Sequence, residues 1–398
     1  MPRERVSRRS RNVASGSLNL QGIFSPLRLH RSRWQTGQAG RSRSSHLLKD
    51  FMSLQAVNTS IIILTTPRDF GDVRAEHHAL LHSVAVAEIP FTAILELTGK
   101  NSIQFINGLI TNDVKTLQTG DGILAAFLNV QGKIISLCRF YQVGEKLVIE
   151  FSGANRETIF KNLSRFVPAG EFFVSDVSEE KSVLTLQGPN AAEILSKLTD
   201  QTIEAKPEYR NFFVTINGEE ILLASHFRGS TIGFDLFVPT NSKTEIHQAL
   251  IEAGAVAAGS KALEIVRLEA GIPRDGVDFS EANILLETGL DKSVSYTKGC
   301  YLGQEVIARI HWRGQPKQQL RGLLIEAENV PEKGTELWAE DGKKIGEITS
   351  SVKSLALDRF IALGYVHRYY LTLGTKFILK SSDAEIGTAT VAETPFKA

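Results

Sequence analysis

One order of elements occurs twice along this chain, and it limits the possible folds more than any single residue does. AEIPFTAILELTG, from residue 87, suggests a strand bounded by Gly99. KNSIQFINGLI follows with Ile103, Phe105, Ile106, Leu109 and Ile110 at helical spacing and Asn101 or Ser102 as cap. GILAAFLNVQGKIISLCRFYQ then predicts two strands about a turn at Gln131–Gly132. KLVIEFSG predicts another strand and NRETIFKNLSRFV another helix. A similar order returns: strand SVLTLQG, helix PNAAEILSKLT with Pro189 in its first turn, three strands (FFVTING, EILLASHF, GFDLFVP), and helix NSKTEIHQALIEAG. The repeat lies in the order of elements, not in residue identity.

The fold class is therefore α+β. Two duplicated modules of ferredoxin-like type are expected over 85–178 and 179–315, each with helices on one face of an antiparallel sheet. SKALEIVRLEAGI adds a helix stopped by Gly271 and Pro273, and HWRGQPKQ looks like a linker. Beyond it QLRGLLIEA, TELWAED, KIGEITSSV, RFIALGYV, TKFILK and EIGTATVAE are short and separated by turn residues. They predict a small closed β-barrel over 316–398.

Composition matters here mainly for charge and cysteine. Among 398 residues the net charge is only +1. Residues 1–51, however, hold ten arginines and Lys49 against Glu4 and Asp50, a balance of +9. The other 34 basic and 42 acidic residues sum to −8, so the folded body is no general nucleic-acid binder by charge. The basic segment is Ser-rich and lacks apolar periodicity, which predicts disorder. Three readings of it stay open: sequence upstream of a true start at Met52, an organelle transit peptide, or a nucleic-acid tail. The first implies a cytoplasmic protein, the second a mitochondrial matrix or plastid one. The longest aliphatic run near the start, Ile61–Leu64, is far short of a membrane span.

Two cysteines, Cys138 and Cys300, cannot make a disulfide framework or a self-contained metal centre, so no metal site is expected. Cys138 lies in IISLCRFY and is expected to be a buried strand residue. Cys300 sits in KGCYLGQEVIAR, a poor core. Val306, Ile307 and Ile310 there predict a short helix, which places Cys300 just before a helix N-terminus. Lys298 and the helix dipole would favour its thiolate. Gly299 and Gly303 permit close backbone approach, and Glu305 and Arg309 are spaced to pair. A cysteine hydrolase would need a general base, but His311 lies about 15 Å along such a helix. A scaffold that uses the thiol only to hold a partner stays open.

The stretch KGCYLGQEVIAR, from Lys298 through Tyr301, Gln304 and Glu305 to Arg309, resembles the signature of the YgfZ family of folate-binding proteins. RLEAGIPRDGVDF (267–279), FINGLITNDVKTLQTG (105–120), NVQGKI (129–134) and LTLQGPNA (184–191) resemble that family and its parent, the glycine-cleavage T-protein superfamily. The resemblance covers about residues 85–398. It implies three domains around a central channel for tetrahydrofolate, with Asn112, Asp113, Asn129, Gln187 and Arg228 as candidate lining residues. It also implies iron–sulfur client or assembly proteins as partners, and tRNA modification as a dependent process. Cys300 and Lys298 would carry the chemistry. The aminomethyltransferase branch offers an alternative, transfer of a one-carbon unit to tetrahydrofolate. That branch carries an acidic residue where this chain has Ser136 and Leu137, and neither can hold negative charge.

Overall fold

The computed structural model describes residues 67–167, 171–199, 201–229 and 232–397. The basic segment 1–51 lies outside them.

The chain enters through α1 (Val73–His82), capped by the Asp72 carboxylate on the N–H groups of Arg74 and Ala75. The strand expected across AEIPFTAILELTG is in fact two. Pro90 has no N–H to offer a ladder and Phe91 takes a left-handed φ of 58°, so β1 (Ala85–Ile89) and β2 (Thr92–Thr98) turn into different sheets.

The first sheet continues through α2 (Ser102–Asn107), β3 (Gly122–Leu128), β4 (Ile134–Val143), β5 (Lys146–Ser152), α3 (Arg156–Ser164) and β6 (Phe173–Asp176). Its order is β3-β4-β5-β2-β6, all antiparallel. Ile106, Ile159 and Leu163 of its helices pack on Leu95, Cys138, Phe140 and Ile149, so Cys138 is a core residue.

The second sheet is built from β7 (Lys181–Gln187), α4 (Ala191–Leu198), β8 (Asn211–Ile216), β9 (Glu219–Ser225), β10 (Gly233–Pro239), α5 (Lys243–Glu252) and β11 (Val256–Ala257). Its order is β11-β1-β7-β10-β9-β8. Ile194, Leu195, Ile246 and Leu250 cover one face, on Leu184, Leu223, Phe234 and Leu236. The other face meets the first sheet through Ile94, Tyr141, Val148, Val183, Ala224 and Phe237. GFDLFVP is thus buried on both faces, which explains why it is apolar apart from Asp235.

Next comes α6 (Ser260–Glu269), then a loop region ending in α7 (Gln304–Arg313). His311, Trp312 and Arg313 belong to this helix and not to a linker, because only Gly314 ends it. Strands β12 (Gln318–Ala327), β13 (Glu336–Trp338), β14 (Lys344–Lys353), β15 (Phe360–His367), β16 (Lys376–Ser381) and β17 (Ala384–Ala392) close the barrel in the order β12-β15-β14-β13-β16-β17. Closure leaves no free edge. No described helix is long and apolar enough to cross a membrane.

The RLEAGIPRDGVDF stretch ties the barrel to the rest. The Glu269 carboxylate accepts from Ser354 Oγ at 2.6 Å and from the N–H groups of Leu355 and Ala356 at 3.1 Å, and it pairs with His77 Nε2 at 2.7 Å. Asp278 accepts from Arg267 Nη1 at 2.7 Å and from Thr349 and Ser350 hydroxyls at 2.6 Å. Leu268 adds an apolar contact to Leu320, Ile361 and Leu363.

Candidate functional site

The apolar seam between the two sheets turns polar at one end. Side chains alternate along a strand, so each residue two positions from a seam residue shares its face. Tyr141 is followed by Arg139, Val148 by Glu150, Val183 by Thr185 and Gln187, and Phe237 by Asp235. The result is a largely buried cluster of charged and polar side chains. Arg139 Nη1 donates to Glu150 Oε2 at 2.8 Å. Arg228 clamps Asp235 in two bonds, Nε to Oδ1 at 2.9 Å and Nη2 to Oδ2 at 2.6 Å, and its Nη2 lies 3.9 Å from Glu150 Oε1. Two cations and two anions bridge the sheets with no net charge, as buried charge requires.

Gln187 is fixed on every side. Its Nε2 donates to Thr185 Oγ1 at 2.7 Å and to the His226 carbonyl at 3.0 Å, and its Oε1 accepts from the Arg228 N–H at 3.2 Å. Gly233 lies opposite it in the ladder, and a Cβ there would meet Gln187 Oε1 at 2.2 Å. Burial, with Arg139 and Arg228 nearby, pushes His226 well below the usual imidazole range, so the ring is neutral at pH 7. Its Nδ1 lies 3.2 Å from Glu208 Oε1, and Tyr209 stacks on it.

Two polar atoms on the seam face are buried with no partner: Arg139 Nε and Tyr141 OH. Native proteins leave few such groups, and a pair of them points to a ligand that completes their bonds. A pterin ring presents both donors and acceptors on its edge. The residues present therefore fit tetrahydrofolate.

The other candidates sit elsewhere. Asn112 Nδ2 donates to the carbonyls of Leu124 and Lys292, Asp113 caps a short 3-10 turn through the Lys115 N–H, and Asn129 Oδ1 accepts from the N–H groups of Gln131 and Lys133. These three side chains bond backbone groups of the first sheet's loops and of Lys292, while Gln187 and Arg228 meet in the inter-sheet cluster.

Cys300 is exposed on the loop before α7. Gly303 caps that helix at φ 82°, and a Cβ on it would meet the Asn129 carbonyl at 2.8 Å. Gly132, at φ 72°, lies against Val306 in the same way. Two glycines thus let the loop seat on the β3–β4 turn. Gln304, half-buried, opens the helix, and Gly299 has open space around it. Tyr301 is buried among Leu128, Ile134 and Ile307.

The expected part of Lys298 beside Cys300 needs correction. Its Nζ faces four oxygens, the carbonyls of Asn107 (2.7 Å), Ile110 (2.9 Å) and Asn112 (2.6 Å) and Asn107 Oδ1 (3.2 Å). An ammonium has three protons, so none is left for a thiolate. Burial pushes its pKa down to about 8. Glu305 and Arg309 are exposed and form no ion pair among the described residues, so the expected pairing on the helix face is not made.

Ser136 has a carboxylate neighbour after all. Its Oγ donates to Asp275 Oδ2 at 3.2 Å, and Asn155 Nδ2 lies 3.4 Å from the same oxygen. Burial raises Asp275 to about 6, against the bonds it accepts from Ser136 and from the N–H groups of Leu137 and Gly276. Leu137 packs with Leu128 and Ile134. Sequence reasoning missed Asp275, Arg139, Glu150 and Asp235. The last three had a legible signal, a lone charge inside an apolar strand: CRF, IEF and FDL.

Two family models match the chain: the GCVT N-terminal domain over residues 48–298 and the glycine cleavage T-protein C-terminal barrel domain over residues 318–397. The chain belongs to the glycine-cleavage T-protein family. An aminomethyltransferase of Thermoanaerobacter pseudethanolicus is 28% identical over 316 residues, which are 78% of this chain and 85% of that protein. The crystal structure of the glycine cleavage system aminomethyltransferase T from Bartonella henselae has the same fold, with a TM-score of 0.76 at 20% identity. It aligns over 83% of this chain and 91% of that one.

Proposed function

We propose that this glycine-cleavage T-protein homologue binds tetrahydrofolate at the inter-sheet cluster and serves aminomethyltransferase-type one-carbon transfer. The observation that carries the reading is the pair of unpartnered buried atoms, Arg139 Nε and Tyr141 OH, beside the Arg228–Asp235 clamp. The name of the Thermoanaerobacter relative supports the same class.

Tetrahydrofolate supplies the amine nitrogens that accept a one-carbon unit. The chain's own residues bind and orient it. Arg228 fixes Asp235 as an acceptor, Gln187 locks the Arg228 backbone, and neutral His226 adds no competing charge. The buried walls exclude water, which strengthens each of these bonds.

Calorimetry tests the binding. One equivalent of tetrahydrofolate is expected to bind, and Asp235→Asn to weaken it at least tenfold. Absence of heat at high ligand concentration refutes the site. Turnover with an aminomethylated lipoyl carrier protein tests the transfer.

A second reading is favoured by exposed Cys300 and by Ser136 in the place of a carboxylate. It is the YgfZ-type role, support of iron–sulfur proteins and of the tRNA modification that depends on them. The thiol would serve as a transient ligand or mixed-disulfide partner of a client. Here Cys300→Ser keeps folate binding but loses rescue of iron–sulfur enzyme activity in a deletion strain. Full rescue by that variant removes the thiol from the function.

A further inference from the structure

A cleft of about 370 Å³ lies where the last turn of α7 meets the first barrel strand, and it contains neither Arg228 nor Cys300. Leu286, Ile310, Pro316 and Leu320 give it apolar walls, and Arg321, Gln319 and His311 give it polar ones. Arg321 is the unusual member. Its Nε is buried without a partner, and its one hydrogen bond runs from Nη2 to Gln319 Oε1 at 2.6 Å. No carboxylate pairs with it among the described residues. Asp291 lines the same cleft but makes no ion pair with it. Burial alone lowers the guanidinium pKa, with no compensating acid.

A desolvated cation without a counter-charge is costly, and proteins keep one where a ligand supplies the anion. His311, also in the lining, is held by stacking on Tyr296 at 3.7 Å between ring centres. The carbonyl end of α7 also reaches the cleft, but it carries only roughly half an elementary charge against the full charge of Arg321.

We infer that this cleft is a second ligand site, distinct from the inter-sheet cluster, and that it takes a small organic carboxylate. The carboxylate lies on the planar Nη edge of Arg321 beside Gln319, and the hydrocarbon body lies on Ile310, Leu320 and Pro316. A guanidinium fork matches a planar carboxylate in two parallel bonds. Inorganic phosphate lacks the apolar body these walls require, and the volume is near the lower end for small-molecule pockets.

Exposed Trp312 packs edge-on against His311 and reports on the cleft. Benzoate is the probe, followed by Trp312 fluorescence and calorimetry on the full chain. Saturable binding is expected, lost at least tenfold in Arg321→Gln and partly kept in Arg321→Lys. Tetrahydrofolate at saturation is expected to leave benzoate affinity unchanged. Gln315→Trp, an exposed rim change, is expected to block the cleft without touching the fold, so the idea stays testable if Arg321→Gln unfolds. Undiminished binding in folded Arg321→Gln or in Gln315→Trp, equal affinity for inorganic phosphate, or displacement by tetrahydrofolate each overturns it. So does failure of benzoate to bind. A folate-binding failure alone leaves this site standing and removes only the inter-sheet reading.

Discussion

At the scale of single residues, burial shapes the behaviour of the charged groups in this fold. Asp275 shows the balance of forces. Its folded pKa of about 6 lies above the ordinary aspartate value, so the native state holds a proton that the unfolded chain has released between about pH 4 and 6. Stability from this group is fully present below that window and is lost as pH rises through it. Asp275→Asn removes the desolvated charge, and we expect it to stabilise the protein by about 1–2 kcal/mol at pH 7.5 and by less at pH 5. Urea titration at the two pH values checks the sign. Lys298→Met is a contrasting case, since it strands carbonyl oxygens of Asn107, Ile110 and Asn112. A loss of about 2–4 kcal/mol follows, readable as a lower denaturation midpoint. Cys300→Ser, exposed and without a packing role, is expected to leave the same midpoint unchanged.

At the scale of elements, α7 and its loop are held by shape. Gly303 and the β3–β4 turn approach each other too closely for a side chain, and Gly303 also takes a left-handed backbone. Gly303→Ala therefore meets both steric and backbone cost, about 1–3 kcal/mol together. Faster protease cleavage around residue 300, with little change in the barrel, is the expected readout. Gly303 in the cysteine stretch and Gly132 in the β3–β4 turn both make close contacts across this junction. They seat the loop, and the seat leaves Cys300 facing solvent.

At the scale of the whole molecule, a few carboxylates bind the layers together. Glu269 joins α1, α6 and the segment between β14 and β15 through His77, Ser354 and two backbone N–H groups. Glu269→Ala leaves all of these donors without an acceptor, and we expect about 2–4 kcal/mol of destabilisation. Limited proteolysis should then release the barrel more readily than in the parent chain. The cluster of Arg139, Glu150, Arg228 and Asp235 depends on the same organisation, because it forms only where two sheets face each other.

The sequence by itself determined the elements. Alternating and helical periodicities marked the α+β repeat, all six barrel strands and the Gln131–Gly132 turn, because each depends on neighbours a few positions away. It also marked Cys138 as core. Only the tertiary structure decided which residues meet. It assigned β1 to the second sheet, since a strand's partner is chosen by long-range pairing that periodicity does not encode. It turned Lys298 toward carbonyls contributed by residues 107–112, and it brought Asp275 to Ser136 across 139 positions of chain. Burial then set their protonation, because desolvation depends on everything packed around a group and not on its neighbours in sequence.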